Sequence, residues 1–534
     1  MKKFFALNLL LLSFAVGFAL EVNKQELESL AANKEIEFIN YEGPHAVINT
    51  VAQIKGIGSE IGTQIASDVS KKGHAGNNGR YSVIHAVDSS VKEKLDADIL
   101  IIGNQAQIDH INNLRRIISG YLTAAYNYSE TDADTLAVFI TVYNAVYRSN
   151  IGAFFDKYKT VVTDNLDANY CGLSVDYRDW PGKTQIVIPL YDVNNGGLST
   201  IDTSVISDKN VISSMKEDDD MNIDSRKNLV DLKERESEDA SQNAKNAQKL
   251  ATEENKKLEE EKAKQAQLKA EAEEAGKKAE EKQKIADRNP QDEQAQREAE
   301  KAKNEADEKQ KALEKQEEIV KEQTEKTEAE RESAQKQQAL SDRKETEAQS
   351  ERKDIAKDQV TVQNAQAENT PENLDYALVL VDEKKQYSRI VKFNKKNGKA
   401  VKDSPVNVIH NRELIRTGDN FAVIAGENKG AGAVKLVLID RENMEIILET
   451  EEKLSDNSPL VYDGGYFYCI VSEKGSNYLG KFDSSLRLVM KSVEAVKGGS
   501  PVIITENAIV VTGSDGKVKI LEKSDISSKI GSGK

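Results

Sequence analysis

Glu253-Glu254-Asn255-Lys256-Lys257-Leu258-Glu259-Glu260-Glu261-Lys262-Ala263-Lys264 is the stretch that decides the architecture. Glu, Lys and Ala are strong helix formers. Acid and base recur three or four residues apart, the spacing that supports a helix standing alone. The same composition, with Gln added, runs from about Ser225 to Gln366. Charge blocks also occur in disordered chains, but here propensity and pairing agree over a stretch far longer than a helix needs to persist. Residues 192–375 contain no aromatic, no histidine and no cysteine, so nothing in them builds an ordinary core. The sequence therefore predicts a charged helical rod over 225–366 that holds two folded ends apart.

After Leu229 and Leu232, leucines stand only at 250, 258, 268, 313 and 340. That is too sparse for a steady a/d seam. Alanine fills many other positions, which points to a weak Ala-seamed coil or a single charged helix. Asp287-Arg288-Asn289-Pro290 interrupts the rod. Asn caps a helix, and Pro suits the first helical position. The rod either continues through a kink there or folds back as a hairpin. Extended, roughly 135 residues at 1.5 Å each reach about 200 Å, and a hairpin halves that.

Toward the C-terminus the aromatics return. Strand-like runs begin at Tyr376, Phe421, Tyr466 and Ala508, and Ser404-Pro405, Ser458-Pro459 and Ser500-Pro501 recur at similar intervals. A repeat of roughly 40–45 residues with four short strands is the length of a β-propeller blade. Residues 372–526 are thus expected to be an all-β, propeller-like repeat domain of three to four blades, the low limit for closure, with an open array of three sheets, a ring closed with a second chain, or an ordinary β-sandwich as the alternatives. Residues 527–534 are expected to form a flexible tail.

Before the rod, an acidic linker is expected at 206–224, including Glu217-Asp218-Asp219-Asp220, and a folded domain at 20–205. In that domain Ile99 to Gly103 reads as a buried strand. Leu114, Ile117, Ile118, Tyr121 and Leu122 form a helical stripe. A second helix is expected from Thr131, capped through Asp134, and it is apolar on more than one face, as buried helices are. Gln185 to Leu190 reads as a strand that Pro189 confines to a sheet edge or end. Strands and helices mix, so the domain is α/β or α+β.

The chain has 534 residues, a net charge of −16, 31% charged residues and 6% aromatics. The acidity argues against nucleic acid or an anionic membrane surface as the main partner. Lys2 and Lys3 precede an apolar run from Phe4 to Leu20 that is short for a membrane span, and Gly17-Phe18-Ala19 offers small residues to a signal peptidase. Residues 1–19 are read as a secretory signal, with an uncleaved anchor as the rival. Cys171 and Cys469 fall in different domains and are read as buried free thiols.

No Walker loop, G-x-S-x-G, H-E-x-x-H or paired C-x-x-C is present, and none of His45, His74, His85, His110 and His410 is spaced as a metal pair. Nothing calls for a cofactor, a metal or a catalytic residue. Gly56-Ile57-Gly58, within Val51 to Gly62, resembles the turn of a helix-hairpin-helix, whose backbone N–H groups hold a phosphate. A tight structural turn is the plainer reading, because glycine supplies positive φ. Arg115-Arg116 could form an anion clamp, but helix-surface charge paired with an acidic neighbour is the plainer reading.

Several segments in order carry a family resemblance: Phe38-Ile39-Asn40-Tyr41-Glu42-Gly43-Pro44, Gly56-Ile57-Gly58, Leu114-Arg115-Arg116-Ile117-Ile118-Ser119-Gly120-Tyr121-Leu122, Tyr143-Asn144-Ala145-Val146-Tyr147-Arg148 and Trp180-Pro181-Gly182-Lys183-Thr184-Gln185-Ile186-Val187-Ile188-Pro189-Leu190. Together they resemble the large membrane-associated antigens of spirochaetes, typified by the Borrelia eighty-three/one-hundred-kilodalton antigen, most closely over residues 35–190. The resemblance implies an exported envelope protein with no established activity. Gly56, Gly58, Arg115, Arg116 and Trp180 are the candidate binding residues. The expected function is that of a non-enzymatic spacer or adaptor, located in the periplasm or at the outer membrane. Its end domains would bind envelope proteins, peptidoglycan or the outer membrane, and its rod would support homo-oligomers. A hydrolase in residues 20–190 and a nucleic-acid module at 51–62 are the rival readings.

Overall fold

The computed structural model describes residues 36–43, 48–66, 74–91, 93–191, 201–365, 370–410 and 412–527. The expected signal segment and all but the first residue of the expected C-terminal tail lie outside the described residues, as do His45 and the His74 side chain.

The N-terminal domain is α+β. Its sheet is an antiparallel run of β1 (His74–Asn77), β2 (Tyr81–Ala86), β3 (Asp96–Ile102) and β4 (Thr184–Leu190), in that order. Helices α1 (Val51–Ala66), α2 (Ile111–Tyr126) and α3 (Glu130–Val146) pack with it, and α4 (Ile151–Lys157) and α5 (Thr160–Thr163) lead back toward β4. The core joins Val83, Ile99 and Val187 of the sheet to Ile61, Leu114, Ile118, Phe139 and Tyr143 of the helices. Pro189 does lie in an edge strand. That edge is partly capped from the side: the Asn144 amide donates to the Val187 carbonyl at 2.8 Å and accepts from its N–H at 2.8 Å.

Two local expectations are corrected. The cap of α3 is Ser129, which accepts from the Asp132 N–H, rather than Thr131 with Asp134. The glycine motif at 51–62 is not a turn, because residues 51–66 form one continuous helix. Thr50 and Gln53 start it with a capping box: the Thr50 N–H donates to Gln53 Oε1 at 2.8 Å, and the Gln53 N–H to Thr50 Oγ1 at 3.2 Å. The glycines serve packing. A Cβ on Gly58 would lie 1.8 Å from the Ile117 carbonyl oxygen, and one on Gly62 would lie 2.6 Å from that of Tyr121. From the other side, a Cβ on Gly120 would lie 2.1 Å from the Lys55 oxygen.

Residues 201–215, expected as domain end and acidic linker, carry two short helices, α6 (Thr203–Ile206) and α7 (Lys209–Met215). They bury Ile206, Val211 and Met215 in the N-terminal core.

The rod is a hairpin. Helix α8 (Ile223–Arg288) and helix α9 (Glu293–Ala365) run antiparallel, with Asn289 and Pro290 in the connecting turn. Asp292 caps α9, accepting from the Gln294 and Ala295 N–H groups at 3.0 and 3.2 Å. The seam keeps a strict period of seven. On α8 it buries Val230, Ser237, Ala244, Ala251 and Leu258; on α9 it buries Ala334, Ser341, Ala348, Ile355 and Val362. Small residues fill most of it, so counting leucines undercounts the coil. Register is fixed by Gln316 and Gln323, also seven apart. Their amides donate to the backbone carbonyls of Glu261 and Glu254, both at 3.1 Å, and to the carboxylates of the same residues, both at 2.6 Å.

Four antiparallel sheets follow. The first holds β5 (Leu374–Asp382), β6 (Tyr387–Asn394) and β7 (Ala400–Asp403). The second holds β8 (Ile415–Thr417), β9 (Asn420–Ala425), β10 (Lys435–Asp440) and β11 (Ile446–Glu449). The third holds β12 (Val461–Asp463), β13 (Tyr466–Glu473), β14 (Ser476–Phe482) and β15 (Leu488–Ala495). The fourth holds β16 (Ile503–Ile504), β17 (Ala508–Thr512) and β18 (Val518–Glu522). Separate apolar clusters join first to second, second to third and third to fourth sheet. No cluster among the described residues joins first to fourth, so one chain makes an open row rather than a closed propeller. Two of the three Ser-Pro markers share a role, whereas Ser404 donates to the Met444 carbonyl at 2.7 Å. Ser458 Oγ accepts from the Ile470 N–H, and Ser500 Oγ accepts from the Thr512 N–H, each at 2.7 Å.

Because the rod doubles back, it does not hold the two end domains apart. The Arg116 guanidinium pairs with Glu445. The Asn407 amide donates to the Glu42 and Gly43 carbonyls, both at 2.7 Å. The expected spacing of one end from the other is corrected by this contact: N-terminal domain and β row form a joint body, and the helical arm leaves it and returns.

Candidate functional site at the base of the arm

The place where three parts of the chain meet with buried charge is the base of the arm. Its positioning starts in the segment 201–215. Ile201 bridges to Leu190 of β4, and its N–H donates to the Tyr128 hydroxyl at 3.0 Å. Asp202 and Asp208 then cap α6 and α7 through their carboxylates. With Ile206 and Val211 turned into the core, Thr203, Ser204 and Ser207 are turned to the arm.

They meet three layers of charge in the seam. In the first, Lys344 pairs with Glu236 at 2.8 Å; Thr203 donates to the same carboxylate at 2.8 Å and accepts from Lys344. In the second, Lys233 pairs with Glu347 at 2.7 Å and donates to Ser207 Oγ at 2.8 Å, while Ser204 donates to Glu347 at 2.9 Å. In the third, Arg226 pairs with Glu351 at 2.6 Å and Asp358 at 2.9 Å, and Lys216, which follows the segment, reaches Asp358 at 3.1 Å. The Arg226, Lys344 and Glu236 side chains are 0%, 4% and 3% exposed, so their partners are what makes burial tolerable. Burial pulls the Lys233 amine below the usual range, with Glu347 opposing it. Burial acts to raise Glu347, but the Lys233 ammonium beside it outweighs this and holds the carboxyl low. A cavity of about 470 Å³ opens beside the layers, lined by Phe139, Ser207, Lys216, Arg226, Lys233 and Glu347 among others. Cations and carboxylates alternate and neutralise one another. The arrangement fixes how the arm leaves the body, and Arg235 adds a further tie to Asp132 of α3 at 2.5 Å.

The residues singled out in the sequence lie elsewhere and are not brought together. Gly58 sits in the α1–α2 crossing, while a Cβ on Gly56 would meet nothing within 4 Å. Arg115 is half-buried, donates to Thr141 Oγ1 at 3.0 Å and lies over the Phe38 ring; desolvation lowers it to about 10, partly opposed by Asp218. Arg116 ties the N-terminal domain to the β row through Glu445, whose carboxyl burial raises. So neither arginine is plain surface charge. Trp180 is fully buried and donates from Nε1 to the Ser174 carbonyl at 2.7 Å. The base residues were missed, although one signal was available. Arg226 and Lys233 on α8, and Lys344 and Glu351 on α9, stand seven apart, which is how charge looks when it occupies a seam.

The densest polar cluster of the N-terminal core is sealed. His85 Nδ1 lies 2.6 Å from Asp98, and Tyr121 and Tyr126 both donate to the same carboxylate, Tyr121 at 2.5 Å. His85 and Asp98 have no exposed surface. Burial, then the Asp98 charge, pushes both phenols well above the ordinary tyrosine range. The cluster fastens α2 to the sheet. His110 caps α2, and His410 lies between the Asp456 and Gly426 carbonyls. Cys171 and Cys469 are free thiols in separate cores, and burial pushes Cys171 up to about 12. Among the described residues no group of His, Cys, Asp and Glu is arranged to hold a metal ion.

No curated protein matches the chain. Among solved structures, it is similar to BamB from Moraxella catarrhalis at 12% identity and a TM-score of 0.23. That match covers 29% of this chain and 47% of the BamB chain, about half its length. The model of the family described as Borrelia P83/100 protein matches residues 24–501, through the N-terminal domain, the arm and most of the β row. The chain therefore belongs to the Borrelia P83/100 protein family.

Proposed function

We propose that this protein is a non-enzymatic, antigen-like adaptor of the cell envelope: a body made of the N-terminal domain and the β row, with a rigid arm that engages a partner at a distance from it. The observation that carries this reading is the charged base, which fixes the direction of an otherwise self-contained hairpin. From Ala244 to the turn is about 45 residues, a reach of about 70 Å. Over that length the ion pairs run along one helix or across to the other, as in Lys264–Glu261, Lys309–Glu271 and Lys282–Glu298. The reading includes export to the periplasm or the outer-membrane side. Lys2 and Lys3 before the apolar run Phe4 to Leu20 support it. Among the described residues no helix is long and apolar enough to cross a membrane. Candidate partners are envelope proteins, peptidoglycan or the outer membrane.

The test is site-specific photo-crosslinking in intact cells. One probe replaces exposed Ile285 beside the arm's turn, and another replaces exposed Phe155 on the body. Two different envelope partners are expected. The same partner at both sites, or none at the tip, overturns the adaptor reading.

A further inference from the structure

The β row packs face to face three times by one rule. Alternate residues of a strand point to opposite faces, and each internal sheet uses both. The second sheet turns Phe421 and Val423 to the first and Ala422 and Ile424 to the third. The third sheet repeats this, turning Phe467 and Cys469 back and Tyr468 and Ile470 forward. The fourth turns Ile509, Val511 and Leu521 back to the third.

Its forward face is left over. Ile503 lies opposite Val510 and Val510 opposite Ile520, one apolar line across three strands, with Val518 on the same side. Ile503 is 58% exposed and Val518 71%. At the other end the first sheet turns Tyr376, Leu378 and Ile390 to the second. Its backward face is the unused one. Val379 there is 45% exposed and lies opposite Arg389, whose pairing with Asp403 crosses the face and is neutral as a unit; Val381 and Val401, at the two bulges of this sheet, are 40% and 42% exposed. Exposed β-branched faces on a sheet usually mark a contact surface. The two end faces correspond to the two halves of the interface that the chain makes three times within itself.

We propose that the occupant is a second copy of this chain: the forward face of the fourth sheet packs on the backward face of the first sheet of the partner copy, and the reverse contact closes the pair. Both contacts continue the internal packing, so the two rows form one ring of eight sheets with twofold symmetry. A head-to-tail contact is compatible with a finite assembly when its rotation closes. Two copies in one ring place two arms on one assembly.

The experiment uses the full chain and three samples: wild type, Val379→Glu/Val401→Glu, and Ile503→Glu/Val518→Glu. Sedimentation velocity reads the mass, and thermal melting followed by circular dichroism checks that the exposed substitutions leave each chain folded. Wild type is expected to sediment at twice the chain mass and each variant alone at the chain mass. An equimolar mixture of the two variants should return to twice the chain mass, because one intact face of each survives and these two fit. Four results overturn the proposal. They are a monomeric wild type at every concentration, dimers persisting in either variant alone, a mixture that stays monomeric where wild type is fully paired, and an open-ended polymer.

Discussion

Two helix pairs in this molecule solve the same packing problem in opposite ways. Helices α1 and α2 approach so closely that backbone meets backbone, and Gly58, Gly62 and Gly120 are the only residue type that fits there. Helices α8 and α9 stay far enough apart for a Cβ, and small side chains repeat every seven residues. The short pair concentrates its energy in a few contacts. The long pair spreads it over many weak ones and adds a few strong ones at its base. A single change is therefore expected to be severe in the crossing and at the base, and mild along the arm.

The largest effect is expected at the base. Lys344→Met leaves the buried Glu236 carboxylate without its cation and is expected to cost about 4 kcal/mol. Chemical denaturation of the full chain measures it. A loss of under about 1 kcal/mol would put the base on a par with an exposed ion pair and erase that half of the contrast. Next is Gly58→Ala. The new methyl group would overlap the Ile117 carbonyl, and a cost of about 3 kcal/mol is expected from forcing the helices apart. A neutral result in the same denaturation assay would mean that the crossing tolerates separation. The smallest effect is expected for Gln316→Ala, about 1 kcal/mol for its lost hydrogen bonds. Disulfide trapping between α8 and α9 should then show whether the register still holds. A register that slips after this one change would mean that the arm is as concentrated as the crossing.

The helical character of the arm was legible because helix propensity and charge pairing act locally, within a few residues. Its seam was less so. A leucine count misses a seam filled mostly by Ala and Ser, although the seven-residue spacing was there to be read from Val230 to Leu258. The β repeat was visible in the aromatic runs and the Ser-Pro markers, and two of the three serines, Ser458 and Ser500, make the same bond to a strand twelve residues on. Its closure depends on sheets far apart in sequence, which no local pattern reports, but the count of three to four blades already left an open array among the readings. Gly56-Ile57-Gly58 shows the opposite failure. Glycine at a turn and glycine at a helix crossing look alike in sequence, and only the facing Ile117 carbonyl distinguishes them. Arg116 likewise read as ordinary, because its partner Glu445 lies in a different domain.

A hairpin returns the chain to the place it left. Residues 223 and 365 both lie at the root of the arm, so the geometry of the body does not depend on how many turns lie between them. Seven residues added to each helix at matched positions would move the tip outward by about 10 Å and leave every contact of the base and the end sheets where it was. Reach is thus a parameter that insertions and deletions in paired sevens can tune independently of folding. Unpaired changes would instead shear one helix against the other, so indels in this region of related chains should be found in balanced sets placed on either side of the Asn289-Pro290 turn.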